Sequence, residues 1–386
     1  MNSHNTFYLF TAMFFCLLMA CSSAQEEATE QAAVVNTEFR SIPLSLNAPD
    51  TKLADLIESV EIVKLEETSE SLLSFINAVH EVGDSYVFSS EDGIYTFSNE
   101  GEYIQKFSRF GEGPEEHDNI EDLWMEGDTA VIHDTKRYIK RYLLDGTFIS
   151  AEKLENNADH IMPFEGGYLM DMGFRPVNDT LKFGLVKADK NGVFEQGYLP
   201  FDKFPGFSIK TSTPTVQTVG GMVLIQKTLS DSVYLYADGQ VKPLIHYDFG
   251  DDWLLNDIEL SGNFFTEVQQ SEKTWMIMGE LGPQLTVLNA QVGMGSSPRF
   301  LMDRSNGKTV KIDVQIDPEE KFSFAICKWR GPKEAILSLE SLQVAPLIDQ
   351  LDESQYNFRG GTTLEEIESS ENRALLVVKW KDSVEW

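Results

Sequence analysis

Short apolar runs alternate with small polar turns along most of the chain, and the turns return at a near-constant interval. The stretches FSNEGEYIQKF, YLLDGTFI, VKADKNGVFEQ and YLYADGQVKPL place Gly101, Gly146, Gly192 and Gly239 at separations of 45, 46 and 47 residues. Each glycine follows a run carrying Phe, Tyr or Val and precedes another, the pattern of strand, tight turn and strand. Repetition at roughly 40–50 residues, with four short strands per repeat, predicts a β-propeller.

The first four units run over about 75–109, 120–154, 160–201 and 215–249. A longer fifth unit, about 265–316, includes the insertion DDWLLNDIELSGNFFTEVQQSEK, which predicts a short helix before the strand TWMIM. FSFAICKW, EAILSLES and ALLVVKW (374–380) supply strands for a sixth unit, and the early strand near 57–66 has no other home. A ring that kept its first and last segments in separate blades would leave two sheet edges unpaired. The 57–66 strand is therefore expected in the last blade. The fold class is all-β: a six-bladed β-propeller over 41–386, closed by pairing of its N- and C-terminal strands.

The N-terminus changes the picture from fold to location. Residues 1–20 hold no Lys, Arg, Asp or Glu, and Phe7 to Ala20 is a nearly unbroken apolar run, too short to span a bilayer comfortably and suited to a signal peptide. It ends Leu18-Met19-Ala20-Cys21, which resembles a lipobox, so Cys21 is expected to carry lipid and begin the mature chain. The polar residues 21–40 read as a flexible tether. The acidic stretch QEEATEQ resembles signals that send lipoproteins to the surface of some Gram-negative bacteria. The expected place is the cell envelope, anchored to the outer membrane. Cys16 would leave with the signal peptide, so Cys327 is the one cysteine of the expected mature chain without lipid, which leaves no disulfide framework and suits a buried small hydrophobe.

The 386 residues carry 31 Lys+Arg against 62 Asp+Glu, a net charge of −31. Such a surface repels phosphate backbones, which argues against nucleic acid as a partner. The membrane contact expected is through the lipid alone.

The segment FSRFGEGPEEHDNIEDLWMEGDTAVIHDTKRYIKRYLLDGTFI, with Arg109, Gly111, Gly113, Pro114 and Glu116 at its start, resembles the six-bladed β-propeller lipoproteins of one phylum of Gram-negative bacteria. Their R-x-G-x-G-P-x-E element usually continues into an aromatic, where this chain has His117. EIVKLEET and ENRALLVVKWK are similar to the family's two ends, and the repeat resembles the NHL type. The resemblance implies fold and export, and a partner in an outer-membrane nutrient-uptake system.

With strands a to d alternating in direction, the d–a loops between blades and the b–c loops within them share one rim. That rim is expected to gather Arg109, His133, Asp134, Asp171, Arg175, Lys227, Glu280, Trp329 and Arg330 as ligand-binding residues, together with His117, Phe174, Phe207 and Trp253. For Glu280, Trp329 and Arg330 the expectation rests on reading GELGPQ (279–284) and KWRGPK (328–333) as b–c loops. Aromatic faces and mixed charges at a propeller mouth suit a saccharide, a peptide or a partner protein. GEGP lacks the G-x-G-x-x-G and P-loop patterns and reads as a turn. G-x-S-x-G and H-E-x-x-H are absent, and the six histidines show no i,i+4 pair, so neither a catalytic residue nor a cofactor nor a metal is expected. A non-catalytic binding module is the leading reading. The alternative is a calcium-dependent propeller hydrolase or lyase that would use Asp134, Asp171 and Glu280.

Overall fold

The computed structural model describes residues 37–90, 93–317 and 319–381. Its strands form six sheets, one per blade. From inner to outer strand (a to d), blade 1 is His80–Val82, Ser85–Ser90, Gly93–Ser98 and Tyr103–Phe107; blade 2 is Ile120–Glu126, Thr129–Asp134, Tyr138–Leu143 and Phe148–Lys153. Blade 3 is His160–Phe164, Gly167–Asp171, Phe183–Ala188 and Phe194–Pro200; blade 4 is Val216–Val219, Met222–Gln226, Ser232–Ala237 and Gln240–Asp248. Blade 5 is Thr274–Leu281, Leu285–Val292, Arg299–Asp303 and Lys308–Asp313. Blade 6 takes Ala325–Trp329, Glu334–Leu339 and Ala374–Trp380 from the end of the chain and its outer strand, Ile57–Val63, from the beginning.

Each blade buries both faces, which is why its middle strands read as continuous apolar runs rather than as alternation. Neighbouring residues on one strand point to opposite neighbours. Val87 packs with Ile132 and Tyr142 of blade 2, whereas Phe88 packs with Ile336 and Val377 of blade 6. Met170 and Val186 face blade 2, and Leu169 and Leu185 face blade 4. Such shared cores join blades 4 and 5, 5 and 6, and 6 and 1 as well, so the ring is closed by packing all the way round. Cys327 lies in the core between blades 6 and 1, and burial pushes its thiol up to about 12.

The repeated glycines sit in the c–d turns, with φ of 92° at Gly101, 83° at Gly146, 74° at Gly192 and 71° at Gly239. The turn demands the left-handed region, and at three of the four the neighbouring blade demands it again. A Cβ on Gly101 would lie 1.9 Å from the Lys64 carbonyl oxygen, just past the outer strand of blade 6. Cβ atoms on Gly146 and Gly192 would lie 2.8 Å and 2.9 Å from the Cβ atoms of Phe107 and Leu154 in the preceding blades. At those three the period is thus a packing period: the turn is pressed against the end of the preceding blade's outer strand, whereas Gly239 stands clear. Blade 6 has no such turn, because there Leu375–Trp380 pairs antiparallel with Ile57–Val63. This is the closure expected from the unpaired-edge argument.

Four features depart from the expectations or add to them. Arg40–Pro43 and Asp50–Lys52 lie parallel along the outer strands of blades 4 and 5, so pairing begins at Arg40, the last residue of the expected tether. Tyr356–Phe358 does the same for Ile57–Val63 in blade 6. The short helices Val344–Ile348 and Leu364–Glu368 fill the b–c connection of blade 6, the second opened by a capping box of Thr363 and Glu366. The fourth is a correction. GELGPQ and KWRGPK are the a–b turns of blades 5 and 6, since Thr274–Leu281 and Ala325–Trp329 are inner strands. They therefore lie at the opposite ends of their strands from the b–c loops. The helix expected in the insertion is present as Phe264–Gln269.

Replacing Gly101 by Ala is expected to lower unfolding free energy by about 2 kcal/mol or more, because a left-handed φ and a backbone collision act together. At Gly239 no heavy atom stands within 4 Å of the added Cβ, so Ala there is expected to cost about 1 kcal/mol from φ alone. Urea denaturation of the two variants measures the difference, and equal losses would refute the packing origin of the repeat.

Candidate functional site

The nine residues expected on one rim separate into groups. Loops 111–119 and 133–137 do meet: Lys136 pairs with Glu112 at 2.9 Å, and the Thr135 hydroxyl donates to Asp118 at 2.9 Å. His133 and Asp134 end the second strand of blade 2 there, but both are fully buried. Asp134 Oδ1 accepts from the amides of Lys136 (3.0 Å) and Tyr138 (2.9 Å), which makes it the former of its turn. Burial lowers the pKa of His117, whose Nδ1 lies 2.7 Å from the Asp118 carbonyl. Arg109 touches the same loop, its carbonyl accepting the His117 amide at 2.7 Å, while its Nε donates to the Gly146 carbonyl at 3.0 Å beside the c–d turn of blade 2.

Asp171, Arg175 and Lys227 are brought together over blades 3 and 4. Asp171 accepts from the Gly173 amide at 2.8 Å and from the Thr215 hydroxyl, and Arg175 pairs with Asp159. Lys227 Nζ donates to the Gly173 carbonyl at 3.2 Å and lies 4.8 Å from the centre of the Phe174 ring. Burial lowers its amine pKa against the pull of Asp171 and Asp159, and burial raises the Asp159 carboxyl against Arg175. These groups serve one another.

Glu280, Trp329 and Arg330 belong to the a–b ends of blades 5 and 6, a correction to the expected rim. Trp329 Nε1 donates to the Glu280 carbonyl at 2.9 Å, and Arg330 pairs with Glu81 at 3.0 Å and Glu334 at 3.1 Å. Asp134, Asp171 and Glu280 thus do not converge. Among the described residues no group of three or more His, Cys, Asp or Glu has the geometry to hold a metal.

The rim aromatics expected to meet a ligand are packed against each other. Phe207 stacks on Phe264 with centroids 5.1 Å apart, and with Phe174, Leu229, Leu254 and Trp275 they form a separate apolar cluster beneath the two long d–a loops. Trp253 is buried between blades 4 and 5.

One of those loops turns inward to the ends of the inner strands. Lys210 pairs with Glu121 of blade 2, the Thr211 carbonyl accepts from His160 Nε2 of blade 3 at 2.9 Å, and Thr213 hydrogen-bonds Glu280 of blade 5. Beneath it, Asp122 is shared by two histidines, with Oδ1 2.8 Å from His160 Nδ1 and Oδ2 2.9 Å from His133 Nδ1. His160 faces a carboxylate on one nitrogen and a carbonyl on the other, so both nitrogens donate and the ring is an imidazolium. Burial opposes that charge, but the hydrogen bond and charge of Asp122 prevail and raise His160 to about 9. For Asp122 burial again acts the other way, and the two histidines hold it down at about 2. Burial lifts Glu280 to about 7. Asp122 and His160 were missed in the sequence. Asp122 lies beside Glu121 in IEDLWME and His160 opens HIMPF, so neither stands out from its strand in the sequence.

A groove of about 800 Å³ opens beside blade 5, between segment 210–213 and the 313–322 connection to blade 6. Asn289 and Gln291 continue the strand face on which Leu285 and Val287 pack against blade 6, and Arg299 lies opposite Asn289 on the next strand. Met276 and Met278 from the inner strand and Phe322 add apolar surface, and Ser212, Ser296 and Ser297 add hydroxyls.

The Asp122–His160 pair sets a pH dependence. A raised His160 contributes stability fully below pH 6.5 and loses it as pH climbs through about 9; Asp122 contributes above pH 3.8 and loses it toward about 2. We expect the unfolding free energy to fall by on the order of 2–3 kcal/mol between pH 6.5 and 9, with the melting temperature following it down, and His160→Gln to flatten that fall. Parallel curves for the two proteins would refute the imidazolium.

No curated protein matches the chain. Among solved structures, a protein of Bacteroides fragilis NCTC 9343 described as exported superposes with a TM-score of 0.72 at 16% identity, covering 89% of this chain and 100% of that one. The N-terminal domain of Nup159 (TM-score 0.43, 8% identity, 89% and 100% covered) and BamB from Moraxella catarrhalis (0.38, 11%, 72% and 75%) superpose loosely. The family model for the domain of unknown function DUF4934 matches residues 39–379, so the chain belongs to that family.

Proposed function

We propose that this protein is an exported, lipid-anchored binding module that holds a saccharide in the blade 5 groove and performs no chemistry on it. The observation that carries this reading is the groove itself. About 800 Å³ of concave space is lined by amides and hydroxyls, with the half-buried Met276 for the apolar face of a sugar ring. Met276, Asn289, Gln291 and Arg299 remain partly exposed there. The titratable groups near the inner strands support a binder over a hydrolase, because Asp122, His160 and Glu280 are engaged in holding segment 210–213.

Export rests on the signal-like residues 1–20 and Cys21, which lie outside the described residues, and is supported by the exported description of the similar Bacteroides fragilis protein. An outer-membrane uptake system is the proposed partner, with the propeller presenting ligand to it.

Two experiments test this. Cys21→Ser should move the protein from the membrane fraction to the soluble fraction, and continued membrane association would overturn the anchor. On an array of neutral and acidic oligosaccharides, the wild-type chain should retain at least one class that Gln291→Trp, which fills the groove, loses by about tenfold or more. Binding unaffected by that substitution, or no retention at all, would overturn the site.

A further inference from the structure

The charges around the groove cancel unevenly. Lys311 is paired with Asp50 at 3.1 Å and Lys210 with Glu121, while Asp313 accepts from the Gln315 amide at 2.9 Å. Two cations remain. Arg299 donates from Nη1 to the Phe324 carbonyl at 2.8 Å and lies 4.1 Å from that ring's centre, with no carboxylate in ion-pair range among the described residues. Lys321 is exposed on the far wall, also without a carboxylate partner among the described residues. Burial pulls the Arg299 guanidinium down to about 10. A chain of net charge −31 that leaves a half-buried arginine without an ion pair in a polar groove offers a place to an anion.

Resting on the groove reading above, we infer that the ligand is an acidic oligosaccharide whose carboxylate or sulfate meets Arg299 and Lys321 while its hydroxyls meet Asn289 and Gln291. Arginine presents a fork that matches such oxyanions with two parallel bonds. The amides beside it both donate and accept, which suits a ring bearing several hydroxyls more than it suits an acidic peptide of carboxylates on an extended backbone. Because the rest of the surface is acidic, the discrimination is confined to this groove. An acidic polymer is repelled elsewhere and held here.

Calorimetry on the full detergent-solubilised chain separates the possibilities, using trigalacturonate, its methyl ester, a heparin-derived tetrasaccharide and triglutamate as probes. An acidic sugar, carboxylated or sulfated, should bind at least about tenfold more tightly than the ester, and its affinity should fall with added salt. Arg299→Gln should remove about tenfold of that affinity. Lys321→Gln, at an exposed position with no packing role, should weaken acidic sugars and leave the ester unchanged, which keeps the test valid if the Arg299 variant fails to fold. Equal affinity for acid and ester, with both lost in Gln291→Trp, would overturn the anionic ligand and leave the groove as a neutral-sugar site. Preference for triglutamate would overturn the saccharide in favour of a peptide. No effect of Gln291→Trp on any probe would overturn the groove together with the inference.

Discussion

The antiparallel pairing of Ile57–Val63 with Ala374–Trp380 is the constraint on which the rest depends. It brings the two ends of the fold into one sheet, so the last blade has a four-strand core and the ring has no open seam. Each blade is then held from both sides by apolar cores, and no blade can be displaced without exposing two of them. Rigid placement of the inner strands follows. Asp122 and His160, 38 residues apart in sequence, meet at 2.8 Å because blades 2 and 3 have no freedom to separate.

How much of this the sequence disclosed depends on whether the determining contact is local. Gly101, Gly146 and Gly192 were legible because a left-handed turn and a close neighbour both exclude a side chain, and the spacing repeats wherever a blade repeats. The home of strand 57–63 was legible by elimination, since unpaired edges are costly. The order of strands in blades 5 and 6 was not. TWMIMGEL and LTVLNAQV are both long, apolar and buried on two sides, and nothing in their periodicity tells an inner strand from its neighbour. The misplacement of Glu280, Trp329 and Arg330 came from that ambiguity. Phe174 and Phe207 look like ligand-facing aromatics until Phe264, far along the chain, is seen to stack upon Phe207.

Polar side chains on the rim divide by what they face. His133, Asp134, Asp171 and Lys227 are buried and satisfy turns, hydroxyls or each other, so their chemistry is directed inward as scaffold. Arg299 and Lys321 face the groove with charges that no carboxylate of the described chain answers. A long d–a loop links the two sets: its Thr211 is held by His160 and its Ser212 lines the groove. One wall of the proposed site is thereby fixed by a buried ion pair that touches no ligand.

The parallel strands Arg40–Pro43 and Asp50–Lys52 have a mechanical consequence under the proposed N-terminal anchor. Tension entering ahead of Arg40 runs along the strand axis and loads the hydrogen bonds to the outer strand of blade 4 in shear, the direction in which they all resist at once. Only after that strap and the one on blade 5 have slipped would force reach Ile57–Val63. Both would act as strain relief, shielding the seam of the ring from any pull on the residues ahead of Arg40.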